Sequence, residues 1–303
     1  METKKSLLEK LKGHDSLYRF ISLDGLLNIL LTKSLTLVRP NLWDDPHEML
    51  FIKDLVDKSI RDICNGCDSA ISDYSAVEHL LKAQYMIDTL YAQSWSLVAE
   101  SDALWRIYNY DGKSLRLHIR IDQIARHDKL LAAKVEYLDH VQLRSFDPEY
   151  DFYWLATTKR TAFAHEEEVR VIYSPVINED DLYVRFLKLY KSEYLRRNNW
   201  ILTSQQENAL LFPSFLRNKG STIDDEIQRY KMKAGIQSPF TSEYNATQSI
   251  EVEPSAFIES VLVSPFAPEW FCKMIELLCN EYGINYTGQS TLYKKEEADI
   301  AFG

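Results

Sequence analysis

Short β-rich segments alternate with helical stretches along this chain, but in no regular strand–helix–strand rhythm, and that irregularity constrains the fold most. A regular rhythm would indicate a parallel, doubly wound sheet; its absence argues for an α+β arrangement. Residues 16–21 alternate and are β-rich, and 34–38 form a second short strand. Between them, 25–31 carry helical apolar spacing, with Ser22 or Asp24 as the N-cap. Residues 92–98 read as a strand, and 114–120 as another with one wet face. Further strands are expected at 133–137, 258–263 and 285–287. Helices are expected at 3–13, 102–108, 148–165 and 268–282. Residues 166–173 are a glutamate cluster entering a strand.

With 46% hydrophobic and 26% charged residues, the chain has enough apolar mass for a sizeable core. Nine glycines and nine prolines leave little material for long flexible linkers. The expected organisation is one domain over 1–303, with a helical insertion at about 47–92, broken near Asn65-Gly66. Residues 178–248 read as a polar elaboration rather than core.

The net charge of −10 opposes a phosphate backbone, which needs Lys and Arg to release its counterions. General nucleic-acid binding is therefore not expected; a small ligand or a basic protein partner suits the charge better. The start of the chain has no apolar signal core, and no apolar run approaches the roughly 20 residues of a membrane span. These features give the expectation of a cytoplasmic protein without a membrane partner. Cys64 and Cys67 could supply half of a zinc site, but no second such pair exists, and two ordinary thiols in a turn explain them better. No metal site is expected. Neither common glycine-rich phosphate loop is present.

Three constellations could carry chemistry. Tyr18-Arg19-Phe20 places a permanent cation within an apolar strand, where it needs a partner or an anionic ligand unless it faces solvent. Gln93-Ser94-Trp95-Ser96 puts two hydroxyls on one face of a strand and a large ring on the other. Paired hydroxyls can hold a ribose or a neighbouring carboxylate. The third, His165-Glu166-Glu167-Glu168-Val169-Arg170, sets Glu166, Glu168 and Arg170 on one face of a strand. Like charges so close resist joint ionisation and call for a cationic partner or a ligand. A solvated helix-to-strand junction is the plain alternative.

Arginine, then Ser-x-Ser, then Glu-x-Glu, in this order and each on a strand, resemble the arginine–serine–glutamate signature of ADP-ribosyltransferases. That resemblance implies split mixed and antiparallel β-sheets with helical insertions, and NAD as substrate. It implies Arg19 on an NAD phosphate, and Ser94 and Ser96 supporting the glutamate and the nicotinamide ribose. Glu168 would stabilise the cationic sugar as nicotinamide leaves, and Glu166 would orient an acceptor whose identity stays open. The middle residue of the serine motif, usually Thr, is Trp95 here.

The chain is also similar to a bacterial domain family of unknown function, among bacterial and phage-associated proteins. The likeness lies in residues 17–20, 41–48, 94–96, 104–108, Lys159 and Glu166 to Arg170. It gives no activity by itself, but implies that Asp45, Glu48, Trp105 and Tyr108 belong to one site; under the ADP-ribosyltransferase resemblance these four, with Tyr18, Trp95 and Arg170, are expected NAD contacts. The resulting expectation is an NAD-dependent ADP-ribosyltransferase or NAD glycohydrolase of a bacterial defence or toxin type. Two rivals stay open. One is an inactive ligand-sensing or protein-interaction module on the same fold. The other is a metal-dependent nuclease built on Asp44, Asp45, Glu48 and Glu166 to Glu168.

Overall fold

The computed structural model describes residues 8–43, 45, 58, 62, 74–108, 111–139, 156–173, 178–198, 223–233 and 245–294. It is a mixed α+β structure in which a nine-stranded sheet branches at one strand.

The branch point is β3 (Tyr91–Ser96). One of its edges pairs throughout with β8 (Glu168–Tyr173), from Tyr91 opposite Tyr173 to Ser96 opposite Glu168. Its other edge is shared by two strands. Ser96 pairs with Tyr18 of β1 (Ser16–Ile21), and Ala92 pairs with Val38 of β2 (Ser34–Val38). Between these two points β1 and β2 part. β1 runs on to β4 (Leu115–Arg120), then to β10 (Ser260–Val263) and β11 (Tyr286–Gln289). β2 runs on to β9 (Thr247–Glu251). Beyond β8 lies β5 (Leu131–Lys134). Within this sheet only β10 and β11 pair in parallel. A separate parallel ribbon joins β6 (Glu136–Leu138) to β7 (Thr158–Arg160).

Local sequence explains the parting of β1 and β2. They are joined by α1 (Leu23–Thr32), whose N-cap Ser22 accepts from the Gly25 amide through its hydroxyl. The helix closes at Lys33 in the left-handed region (φ 49°) and the chain returns at once as β2. Through Leu26 and Leu30 the helix packs on the core face of the sheet, so β1 and β2 need not pair with each other. The Gln93 side chain then bridges the gap, donating from Nε2 to the Thr36 carbonyl at 3.1 Å.

The main core lies on one face of the sheet. Leu17, Leu35, Leu37, Leu115, Leu117, Ile119, Val169 and Val171 are fully buried there against Leu26 and Leu30 of α1 and Phe271 and Ile275 of α8 (Glu269–Glu281). The alternation of β4 sends Arg116, His118 and Arg120 to the opposite face. A smaller cluster there gathers Phe20 and Leu262 with Leu104 and Trp105 of α3 (Asp102–Ile107).

Several expectations need correction. Residues 133–137 are not one strand: β5 ends at Lys134 and β6 begins at Glu136, because Val135 donates to Glu168 while Glu136 turns to the ribbon. The described part of 148–165 is helical at Ala156, then forms strand β7 and a 3-10 segment at Thr161–Glu166, so the expected helix does not run on to 165. The described part of 178–248 contains two helices and the start of strand β9. Asn178 caps α5 (Glu179–Asn198), accepting from the amides of Asp180 and Asp181. Leu182, Val184, Phe186 and Leu187 of that helix are all buried to 1% or less. α5 packs between α2 (Tyr74–Thr89) and α6 (Ile223–Lys233), and Arg185 ties it to Asp88 of α2 at 2.8 Å. Its polar composition hid a narrow apolar stripe. Short elements not foreseen include helix α4 (Ile121–Arg126), β9 and helix α7 (Pro254–Phe257). Cys64 and Cys67 lie outside the described residues, and Cys272 and Cys279 are free thiols. Among the described residues, no helix is long and apolar enough to cross a membrane.

Candidate active site

Where β1 and β2 part, the sheet opens into a cavity of about 540 Å³. That lies within the usual range for a small-ligand site. Tyr18, Arg19, Ser94, Ser96, Tyr108, Glu166 and Glu168 all line it, together with Trp43 from the loop after β2.

Glu168 opens β8 and is only 1% exposed. Ser94 lies beside it because β3 and β8 are neighbours, and its hydroxyl donates to Glu168 Oε1 at 2.5 Å. Arg170 Nε donates to the same oxygen at 3.0 Å, and Lys159 Nζ donates to Oε2 at 3.0 Å. Burial alone pushes this carboxyl up. The charges of Arg170 and Lys159, with the bonds from Arg170 and Ser94, outweigh burial and hold it at about 2. The group is therefore a fixed anion at neutral pH.

Glu166 reaches the same place by another route. It does not share the strand with Glu168, as its spacing suggests. Glu166 ends the 3-10 segment, Glu167 takes the left-handed conformation (φ 41°), and only then does the strand start. Lys159 Nζ draws the Glu166 carboxylate in at 2.7 Å, so one ammonium bridges two carboxylates. This is the cationic partner that a pair of crowded glutamates requires. Ser96 fixes the turn, donating from Oγ to the Glu166 carbonyl at 2.6 Å and accepting from the Val98 amide at 2.9 Å.

Arg19 is half-buried, and its side chain makes no hydrogen bond or ion pair among the described residues. Burial brings its pKa down to about 10, opposed by the nearby Tyr108 hydroxyl. Tyr108 is itself raised, by burial first and then by Glu166. A cation without a counter-charge in a cavity wall is a ready anion site.

Other expected site residues take different places. Trp95 touches the cavity, but its ring is buried in the main core and its Nε1 donates to Gln93 Oε1 at 3.0 Å. It is not a free stacking platform, since its indole N–H sits where the core must supply an acceptor. Trp105 does not line the cavity. It is fully buried behind Phe20, edge to face at 4.8 Å, with Nε1 donating to Glu100 at 3.0 Å. Arg170 is likewise fully buried and lies off the cavity wall. It clamps Glu168, donates to the Ala156 carbonyl at 2.6 Å, and lies 4.7 Å from the Trp43 ring centroid. Asp45 is held by Arg160 at 3.0 Å and does not line the cavity either. Glu48 and Asp44 lie outside the described residues.

Sequence reasoning quoted Lys159 without giving it a role, and missed Tyr137 and Arg160. Tyr137 carries no signal in the sequence: it arrives because β6 pairs with β7, setting Tyr137 opposite Lys159.

Among the described residues no group of three His, Cys, Asp or Glu side chains could hold a metal ion. The Glu166–Glu168 pair is already matched by Lys159 and Arg170, which opposes a divalent cation there. No family model, no curated protein and no solved structure matches the chain.

Proposed function

We propose that the chain is an ADP-ribosyltransferase-like enzyme that consumes NAD, with the cleft at the branch of the sheet as its active site. The single observation that carries this reading is the placing of two charges in one cavity: the Arg19 guanidinium, without an ion pair among the described residues, and the Glu168 carboxylate, held ionised at neutral pH by Arg170 and Lys159. In this reading Arg19 takes the NAD diphosphate, as a forked donor suits phosphate oxygens. Glu168, oriented by Ser94, faces the nicotinamide ribose. The bond from the sugar C1′ to the nicotinamide nitrogen breaks, and nicotinamide leaves with the electron pair. The positive charge that develops on the sugar is stabilised by Glu168. An acceptor oxygen or nitrogen, or water, then bonds to C1′ and gives up a proton, with Glu166 orienting it. Trp43 and Tyr108 offer flat faces to the bases of the dinucleotide. A defence or toxin setting follows from the family resemblance of the motifs, and a basic protein is the acceptor that best suits the net charge.

One observation favours a second reading, an inactive ligand-binding module on the same scaffold. Both oxygens of Glu168 are already engaged and its side chain is almost wholly buried. A carboxylate neutralised this fully has less charge to offer a cationic sugar. Incubation with labelled NAD+ separates the two. The enzyme reading expects nicotinamide release by the wild type, and loss on the order of 10²–10³-fold in Glu168→Gln. NAD+ binding without release would select the module. Undiminished release by Glu168→Gln would reject the mechanism.

A further inference from the structure

The small β6–β7 ribbon lies outside the main sheet, yet three of its side chains reach the site or its border. Lys159 bridges Glu166 and Glu168 at 2.7 and 3.0 Å. Its neighbour Arg160 holds Asp45, on the loop that brings Trp43 to the cavity. Tyr137, opposite Lys159 in the ribbon, accepts the Glu168 amide proton on its hydroxyl oxygen at 2.8 Å. The carbonyl of Glu168 is also taken, by the Val135 amide at 2.9 Å. Residues 135–137 therefore fix both main-chain groups of Glu168, while 159 fixes its carboxylate.

We propose that the β6–β7 ribbon is the positioning device of this site, with Lys159 holding Glu166 and Glu168 as one bridged carboxylate pair and Tyr137 pinning the main chain of Glu168. The functional reading above enters only in what the pair is positioned to do. Ser94 and Arg170 hold one oxygen of Glu168 from within the main sheet. That leaves the second oxygen, and the Glu166 carboxylate, to be set by the ribbon. Without the Lys159 ammonium, two carboxylates would face each other across a space that is nearly dry, and at least one would swing away or take a proton. The 3-10 segment carrying Glu166 also wraps the ammonium, with the Phe163 ring centroid 4.7 Å from Nζ. An ammonium held by an aromatic face and two carboxylates has little freedom to leave. The charged and titratable groups around Glu168 are Arg170, Lys159, Glu166, Tyr137 and Tyr108. Lys159 is the one that touches both glutamates.

The test combines carboxyl titration by ¹³C NMR, amide hydrogen exchange and NAD+ kinetics on the full chain. Lys159→Met should raise the Glu168 carboxyl by about one pH unit or more, and Lys159→Arg should leave it near the wild-type value. Tyr137→Phe should speed exchange of the Glu168 amide by about tenfold, as expected for losing one hydrogen-bond acceptor. In kinetics, Lys159→Met should lower kcat by about tenfold or more with little change in KM, with Lys159→Arg recovering most of it. An unmoved Glu168 titration in Lys159→Met, or unchanged amide protection in Tyr137→Phe, overturns the clamp. So does a loss confined to KM. If the wild type consumes no NAD+, the functional reading falls alone, because titration and exchange still decide the clamp. If Lys159→Met does not fold, Lys159→Arg and Tyr137→Phe carry the decision.

Discussion

Replacing Glu168 with Gln should destabilise the protein at neutral pH. Crowded carboxylates, read from sequence alone, suggest the opposite sign: removing one of two repelling charges should help. The structure reverses this, because Glu168 is matched by Arg170 on one oxygen and Lys159 on the other. Arg170 is fully buried and cannot shed its proton, so removing Glu168 takes from a buried cation the carboxylate that its Nε meets at 3.0 Å. Gln also presents an NH2 group where either Lys159 or Ser94 now donates. The size follows from the carboxyl's depression from 4.5 to about 2. At about 1.4 kcal/mol per unit this is about 3 kcal/mol of stability. The sign is that of a group depressed in the folded state. Its contribution is fully present above the unfolded value near 4.5, and is lost as pH falls towards about 2. Urea unfolding of wild type and Glu168→Gln across pH 7 to 2.5 measures it. The gap between the two should be about 3 kcal/mol at pH 7 and should narrow steadily below pH 4.5. Carboxylates remote from the pair titrate alike in both proteins and cancel; Glu166, which shares Lys159 with Glu168, is followed separately by its own carboxyl resonance. Equal stability at pH 7, or a gap that does not change with pH, would refute the charge assignment.

Arg19→Gln should weaken NAD+ binding by about 10- to 100-fold, the loss of a charge-assisted contact, while barely changing stability, since Arg19 has no ion pair to lose; calorimetric titration and thermal melting check both halves. Trp105→Ala should cost about 3–5 kcal/mol, because a fully buried ring and its bond to Glu100 are removed together. Denaturant unfolding reads this directly, and a cost under 1 kcal/mol would contradict the packing of that cluster.

The sequence read well where local physics decides. The Ser22 cap, the alternation of β4 and the helix at 269–281 each follow from residues close together in the chain. Arg19, Ser94 and Glu168 were also readable as polar intrusions into apolar strands. What escaped was set by distant pairing. Nothing near Tyr137 announces that its hydroxyl will meet the Glu168 amide. The role of Lys159 depends on a two-stranded ribbon whose strands are three residues each, too short to show a period. Trp95 and Trp105 show the same limit of local reading. A tryptophan beside a motif suits a ligand as well as a core, and only burial separates the two. The branching of the sheet at β3 was likewise hidden, since it needs two strands to share one edge.

The most direct test of the central claim is a crystal structure of Glu168→Gln with NAD+ bound. The account predicts the dinucleotide in the cleft between β1 and β2, with its diphosphate on the Arg19 guanidinium and its nicotinamide ribose beside residue 168. NAD+ found elsewhere on the protein, or a cleft that stays empty at millimolar NAD+, would contradict it.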